Sequence, residues 1–121
     1  MRIDVFVKKA LLQDSRNHFN KCDKKIDFIP KELKYFYSEY NPLDVEVVMN
    51  RNIVRFFSLE ELPQIQQEYM IGHGKFVFAS CNGDPIYLNG NGCVCLQCHG
   101  AENGVEEKMA IDFDTFLELI D

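Results

Sequence analysis

The sequence lacks tryptophan, and it lacks any apolar run near the roughly 18 residues that a membrane-spanning helix needs. Its first segment, MRIDVFVKKALLQD, interrupts apolar residues with charged ones. It therefore has neither the continuous apolar stretch nor the small-residue cleavage site of a signal peptide. No G-x-G-x-x-G or G-x-x-x-x-G-K-[ST] pattern marks a phosphate-binding loop. These absences favour a cytoplasmic protein without a membrane span or a nucleotide-binding loop.

The length and charge of the chain limit its organisation and its partners. At 121 residues, with 46% hydrophobic and 26% charged residues, it has the size and balance of one globular domain, expected over residues 1–121. Residues 1–34 carry nine Lys and Arg against five Asp and Glu, whereas residues 35–121 carry four against fourteen. An acidic main body repels nucleic acid and membrane surfaces and attracts a basic protein, or it simply keeps the chain soluble.

Apolar residues at helical spacing predict three longer helices. Their buried positions would be Ile3, Val7, Ala10 and Leu11, then Leu33, Phe36, Tyr37 and Tyr40, and finally Phe113, Phe116, Leu117 and Ile120. Pro30 suits the first position of the second helix, and Asn41-Pro42 ends it. Asp112 would cap the last helix. The polar stretch HFNKCDKKID after the first helix is expected to be a loop.

Residues 45–49 alternate apolar and polar, which predicts a strand with one wet face. Turns rich in Asn and Gly separate further expected strands, at 53–57, 76–79, 86–88 and 93–97. Ser58 and Glu61 form a capping-box pattern that predicts a short helix over 58–69, with Pro63 disturbing its first turn. Short connections favour antiparallel pairing. The expected fold is therefore α+β, a single antiparallel-rich sheet of five to six strands with helices at the N- and C-terminal ends.

Three of the five cysteines lie in one short segment, which contains Cys93, Cys95, Cys98 and His99. The segment includes the C-x-x-C-H pattern of c-type haem attachment and four chemically sufficient zinc ligands. In a strand, Cys93, Cys95 and His99 would face one way and Cys98 the other, so convergence on a metal requires the strand to turn early. We therefore predict reduced thiols that pack a sheet face and no cofactor, with a metal- or redox-responsive role as the alternative.

No catalytic set is recognisable in the sequence. Nucleophilic catalysis requires a thiol or hydroxyl, a base, and a group that orients the base. His99 could meet Cys95 on one strand face, but nothing evident would orient it. The neighbouring carboxylates Glu60-Glu61 and Glu106-Glu107 face apart and are typical of solvated charge. We therefore predict that the protein is not an enzyme.

Five segments, taken in order, resemble the SUKH superfamily, an immunity-protein domain shared with a fungal cell-wall-assembly regulator. They are Ile29–Phe36, Phe56–Leu62, Phe76–Leu88, Gly92–Val94 and Ala110–Leu117. The first is similar to the family's proline-initiated helix, the third to its central hairpin with a Gly-Asp turn, and the last to its closing helix.

Two departures from the family pattern stand out. Cys81-Asn82 precede Gly83-Asp84, where the family often has two or three glycines, and Cys98-His99 stand where it often has an acidic-His pair. Asn also accepts turn conformations, so the first departure is compatible with the fold. The second removes any role that the acidic residue would carry.

The resemblance implies a SUKH-like domain without cofactor or catalysis, which binds and neutralises a cognate bacterial toxin, often a nuclease, inside the producing cell. The acidic body agrees with this function, because a nuclease toxin is commonly basic. A regulatory or scaffolding interaction module of the same fold is the alternative. No feature requires a stable oligomer, so we expect a monomer or a weak homodimer.

The residues that would contact the partner are chosen on general grounds. Acidic side chains on loops and wet strand faces are the first candidates, and tyrosines are favoured at interfaces. The candidates are Glu39, Tyr40, Asp44, Glu46, Asp84 and Tyr87. Tyr40 serves equally well as a core residue, and Asp84 also suits a role in stabilising its own turn.

Overall fold

A computed structural model of the chain describes residues 2–24, 26–72, 74–98 and 106–121. Its helices are α1 (Arg2–Gln13), α2 (Lys31–Glu39), α3 (Leu62–Tyr69) and α4 (Phe113–Leu117). Its strands are β1 (His18–Asn20), β2 (Asn41–Leu43), β3 (Val45–Met49), β4 (Asn52–Phe56), β5 (Phe76–Cys81), β6 (Asp84–Leu88), β7 (Val94–Gln97) and β8 (Glu106–Ala110). The polar, glycine-containing sequence at 100–104 also predicts a loop, but it lies outside the described residues.

Strands β3 to β8 form one antiparallel sheet in which the spatial order is the sequence order. In this meander each strand pairs with the next one along the chain, and α3 lies in the connection between β4 and β5. Strands β1 and β2 form a separate two-stranded antiparallel ladder. With helices near both ends, the architecture confirms the predicted α+β class and the antiparallel sheet. None of the helices in the described part of the chain is long and apolar enough to cross a membrane.

Three local predictions need correction, and one strand was not predicted. Leu11, expected at a buried position of α1, is 45% exposed. The segment expected to be a loop after α1 contains β1, whose Phe19 pairs with Pro42 of β2, so Asn41-Pro42 both ends α2 and begins a strand. Strand β8 was not predicted, because Glu106–Ala110 is mostly charged. The helix expected over 58–69 begins only at Leu62, which places Pro63 in the first turn, where its missing N–H costs nothing.

The helices pack on the sheet through a cluster of phenylalanine rings. The ring of Phe56 on β4 lies 5.1 Å from that of Phe6 on α1, 6.0 Å from Phe36 on α2 and 6.1 Å from Phe116 on α4. All four rings are fully buried. Aromatic pairs at these separations add stabilisation beyond the area that they bury. One strand position thus joins three helices to the sheet.

The outer edge of β3 is closed by side chains. The amide of Asn17 accepts from the Glu46 backbone N–H at 3.0 Å and donates to the Glu46 carbonyl at 2.9 Å. Gln13 makes the same pair of bonds with Val48, at 2.7 and 3.0 Å. Asp121 adds a backbone bond to the Val48 carbonyl at 3.0 Å. A bare edge strand would present these groups for pairing with another chain, and here they are already satisfied.

Candidate functional site

The β3–β4 hairpin presents one side of its ladder to solvent. Glu46 lies directly opposite Arg55, and Val48 directly opposite Ile53. These four side chains point away from the core, and we call them the hairpin face. Val48 is 37% exposed and Ile53 is 57% exposed, although both are aliphatic. The intervening residues of β3 are buried, which confirms the predicted alternation with one wet face.

The turn of this hairpin is held from outside. Asn50 and Arg51 both have positive φ, 49° and 69°, as a tight two-residue hairpin turn requires. Their backbone N–H groups donate to the two carboxylate oxygens of Asp121, at 3.0 and 3.1 Å. Charge-assisted bonds of this kind are the stronger ones in proteins. The hairpin face is therefore carried by a backbone that is fixed at its edge and at its turn.

Carboxylates outnumber cations beside the hairpin face. The Arg55 guanidinium lies 3.6 Å from Asp44 and 3.5 Å from Glu61. Glu61 also accepts from the Ser58 backbone N–H and hydroxyl, both at 3.0 Å, as the capping-box pattern predicts. Glu46 stands opposite Arg55 in the ladder. Arg55 thus pairs with two carboxylates, and with Glu46 opposite it the group keeps a negative excess.

Two of the predicted contact residues, Asp44 and Glu46, therefore come together on this surface. The side chain of Asp44 is 90% exposed, and its φ of 53° places it in the left-handed region between β2 and β3. Within the described residues, no hydrogen bond or ion pair engages the carboxylate of Glu46, whose backbone is held by Asn17. Glu46 therefore combines a fixed backbone with a carboxylate that no hydrogen bond or ion pair of the described residues engages.

Glu39 and Tyr40 lie at the end of α2 and are engaged within the protein. Glu39 is 3.8 Å from Lys21, an exposed pair that contributes little to stability. The Tyr40 hydroxyl donates to Asp4 at 2.7 Å, and its ring packs edge-on against Phe19 at 6.5 Å. The bond to Asp4 raises the pKa of Tyr40. Tyr40 therefore fastens α2 to α1 and β1.

Asp84 and Tyr87 lie on β6, away from the hairpin. Asp84 opens the strand opposite Cys81 and is partly exposed. Tyr87 is fully buried, and its hydroxyl donates to the Glu106 carboxylate, which also pairs with Lys75 at 3.4 Å. Burial is the largest cause that raises the pKa of Tyr87, followed by the bond to Glu106. The ring of Tyr87 thus belongs to the packing of the sheet and is not presented to a partner.

The cysteine segment lies along β7 and just beyond it. Cys95 is buried, whereas Cys93 and Cys98 are partly exposed. Burial, with a contribution from Glu106, raises the pKa of the Cys95 thiol to about 11. His99 lies outside the described residues. Among the residues that are described, no three His, Cys, Asp or Glu side chains are grouped to hold a metal ion.

Four members of this surface were not predicted from the sequence: Val48, Ile53, Arg55 and Glu61. Val48 could have been identified from the sequence, because it is an apolar residue at a solvent-facing position of an alternating strand, where a polar residue is expected. Ile53 becomes informative only once its pairing with Val48 is known. Arg55 and Glu61 meet across the beginning of α3, a contact that no local pattern encodes.

Two comparisons with known proteins bear on this surface. A family model described as the SMI1 / KNR4 family (SUKH-1) matches residues 15–119. The match covers both ladders, α2 to α4 and the whole hairpin face, and leaves out the whole of α1. No curated protein matches the chain.

Proposed function

The chain belongs to the SMI1 / KNR4 family (SUKH-1), and from that premise we propose that it is a cytoplasmic protein that binds and neutralises a cognate bacterial toxin. The observation that carries this proposal is the hairpin face. An exposed aliphatic pair, Val48 and Ile53, stands beside an excess of carboxylates on a fixed backbone. Apolar contact area with a charged rim is the usual composition of a protein interface.

The electrostatic part of the proposal concerns the rate of association. The acidic surface attracts a basic toxin over a distance of about 8 Å at physiological ionic strength. Complementary charge of this kind chiefly raises the on-rate and selects the partner. Where the toxin is a nuclease, its basic surface also holds the nucleic acid. A bound acidic protein would then occlude that surface and need no chemistry of its own.

The function is tested by expressing the chain with the toxin encoded beside its gene. We expect growth to be protected and the two proteins to co-purify. A toxin that still kills, together with no complex in a pull-down, would refute toxin neutralisation. A chain that leaves the toxin active and instead recovers a host protein would favour a regulatory or scaffolding module of the same fold.

The surface is tested by reversing its charge. Asp44→Lys with Glu46→Lys should lower the association rate for the toxin about tenfold at low salt, because these charges steer the encounter. The matched control is Glu68→Lys with Glu107→Lys, the same change of charge on α3 and on β8 at the opposite edge of the sheet. Stopped-flow or surface-plasmon-resonance measurements give both rates. Equal on-rates for the two double variants would exclude the hairpin face as the steering surface.

A further inference from the structure

A small concavity of about 180 Å³ adjoins the hairpin face. Six residues line it, from the end of α1 and from both strands of the hairpin: Gln13, Asp14, Glu46, Val47, Val48 and Ile53. Val48 and Ile53 contribute the exposed aliphatic surface. We call this concavity the hairpin socket. It joins an apolar wall to a carboxylate on a strand whose backbone is already fixed.

All but one of the polar side chains that line the hairpin socket already form hydrogen bonds or ion pairs within the protein. The amide of Gln13 is bonded to the Val48 backbone on both sides. The carboxylate of Asp14 binds the Arg16 guanidinium at 3.1 and 2.9 Å, which holds the pKa of Asp14 below its usual value. The pKa of Arg16 is raised chiefly by its hydrogen bond to Asp14, and the charge of Glu46 makes the smallest contribution. Glu46 forms no ion pair with Arg16. The free acceptor of the socket is therefore the Glu46 carboxylate.

We propose that the hairpin socket receives an arginine or lysine side chain of the bound protein. The aliphatic stem of that side chain would lie on Val48 and Ile53, and its cationic head would reach Glu46. An acidic residue would be repelled. A purely apolar one would cover Glu46 without pairing its charge, which costs free energy. This inference rests on the proposed function, since it names the group by which the basic partner is anchored.

The chemistry of the hairpin socket is tested without any toxin. N-acetyl-arginine methylamide is titrated into the labelled full chain while amide chemical shifts are followed by NMR. We expect saturable shifts centred on Gln13, Val48 and Ile53. The neutral isostere N-acetyl-citrulline methylamide should shift these amides at least threefold less, because it lacks the charge that pairs with Glu46. Shifts scattered over the acidic surface, or equal for both probes, would overturn the proposal.

Two variants test the same contact in the complex. Glu46→Gln keeps the shape of the side chain and should weaken toxin binding at least tenfold, because it removes one partner of a charge-assisted pair. Asp44→Asn removes a charge that Arg55 already shares and should weaken binding less than threefold. Both side chains are exposed, and unchanged urea midpoints would confirm intact folding.

The outcomes of this experiment separate the two proposals. If the wild-type chain does not bind the toxin, toxin neutralisation fails, and the arginine titration still decides the chemistry of the hairpin socket. If the wild-type chain binds and Glu46→Gln binds equally well, the socket assignment fails and the proposed function stands. Equal losses for Glu46→Gln and Asp44→Asn would also overturn the socket, because they indicate general electrostatic attraction.

Discussion

Replacing Asn17 by alanine tests how the edge of the sheet is held. The side chain is buried, donates to the carbonyls of Ala10 and Glu46, both at 2.9 Å, and accepts from the Glu46 N–H at 3.0 Å. A hydrogen bond contributes about 1 kcal/mol net, so three lost bonds set an upper range of about 3 kcal/mol. Water can reach the Glu46 groups at the strand edge, and the Ala10 carbonyl keeps its bond from Asp14. We therefore expect a loss of about 2 kcal/mol.

The loss is measured by urea unfolding followed by circular dichroism. With a denaturant slope of about 2 kcal/mol/M, the midpoint should fall by about 1 M while the slope stays the same. Asn17→Asp is the matched comparison, because it keeps the acceptor for the Glu46 N–H and replaces both donors by an oxygen that faces two carbonyls. It should be at least as destabilising at pH 7 and partly recover as the carboxyl group is protonated at lower pH. A change below about 0.5 kcal/mol for Asn17→Ala would refute this account of the edge.

Two further predictions concern the hairpin turn and the thiols. Asp121→Ala should destabilise the chain by about 1–2 kcal/mol in urea unfolding, because the Arg51 N–H loses its acceptor and the Asn50 N–H keeps only its bond to the Leu119 carbonyl. Asp121→Asn keeps one acceptor oxygen and should lose less. Equal stability of all three proteins would contradict the role of that carboxylate. At pH 8 a maleimide should label Cys93 at least tenfold faster than Cys95, because Cys95 is buried and its pKa is raised to about 11. Mass spectrometry of labelled peptides gives both rates, and equal rates would contradict the placement of Cys95.

Helices and strands with a clear periodicity of apolar residues could be predicted from the sequence. Strands that depend on partners distant in the sequence could not. The buried side of α2 and the alternation of β3 follow from the spacing of apolar residues along the sequence, and the structure confirms both. Strands β1 and β2 have the composition of loops, and their pairing exists because α2 returns the chain beside β1. Strand β8 has no alternation; its Glu106 is tied to Tyr87, which lies two strands away in the sheet.

The candidate surface divides in the same way. Asp44 and Glu46 were accessible to sequence reasoning, because acidic residues beside a wet strand face are expected to be exposed. Tyr87 was chosen for its residue type, but in an internal strand with both faces covered a tyrosine becomes a packing residue. The socket was beyond reach, because it forms where the end of α1 meets a hairpin that begins some thirty residues later. Only tertiary structure brings these segments together.

The two-residue period of β3 separates the requirements of folding from those of binding. Val45, Val47 and Met49 enter the core, whereas the side chains of Glu46 and Val48 leave it. The backbones of these two outward residues are held by the Asn17 and Gln13 amides, which do not involve their side chains. Changes to the outward side chains should therefore alter partner binding at nearly constant stability, and changes to the two amides should alter stability at constant surface charge. Because the two sets of variants act on different properties of one strand, a binding defect found in the first set cannot be attributed to unfolding.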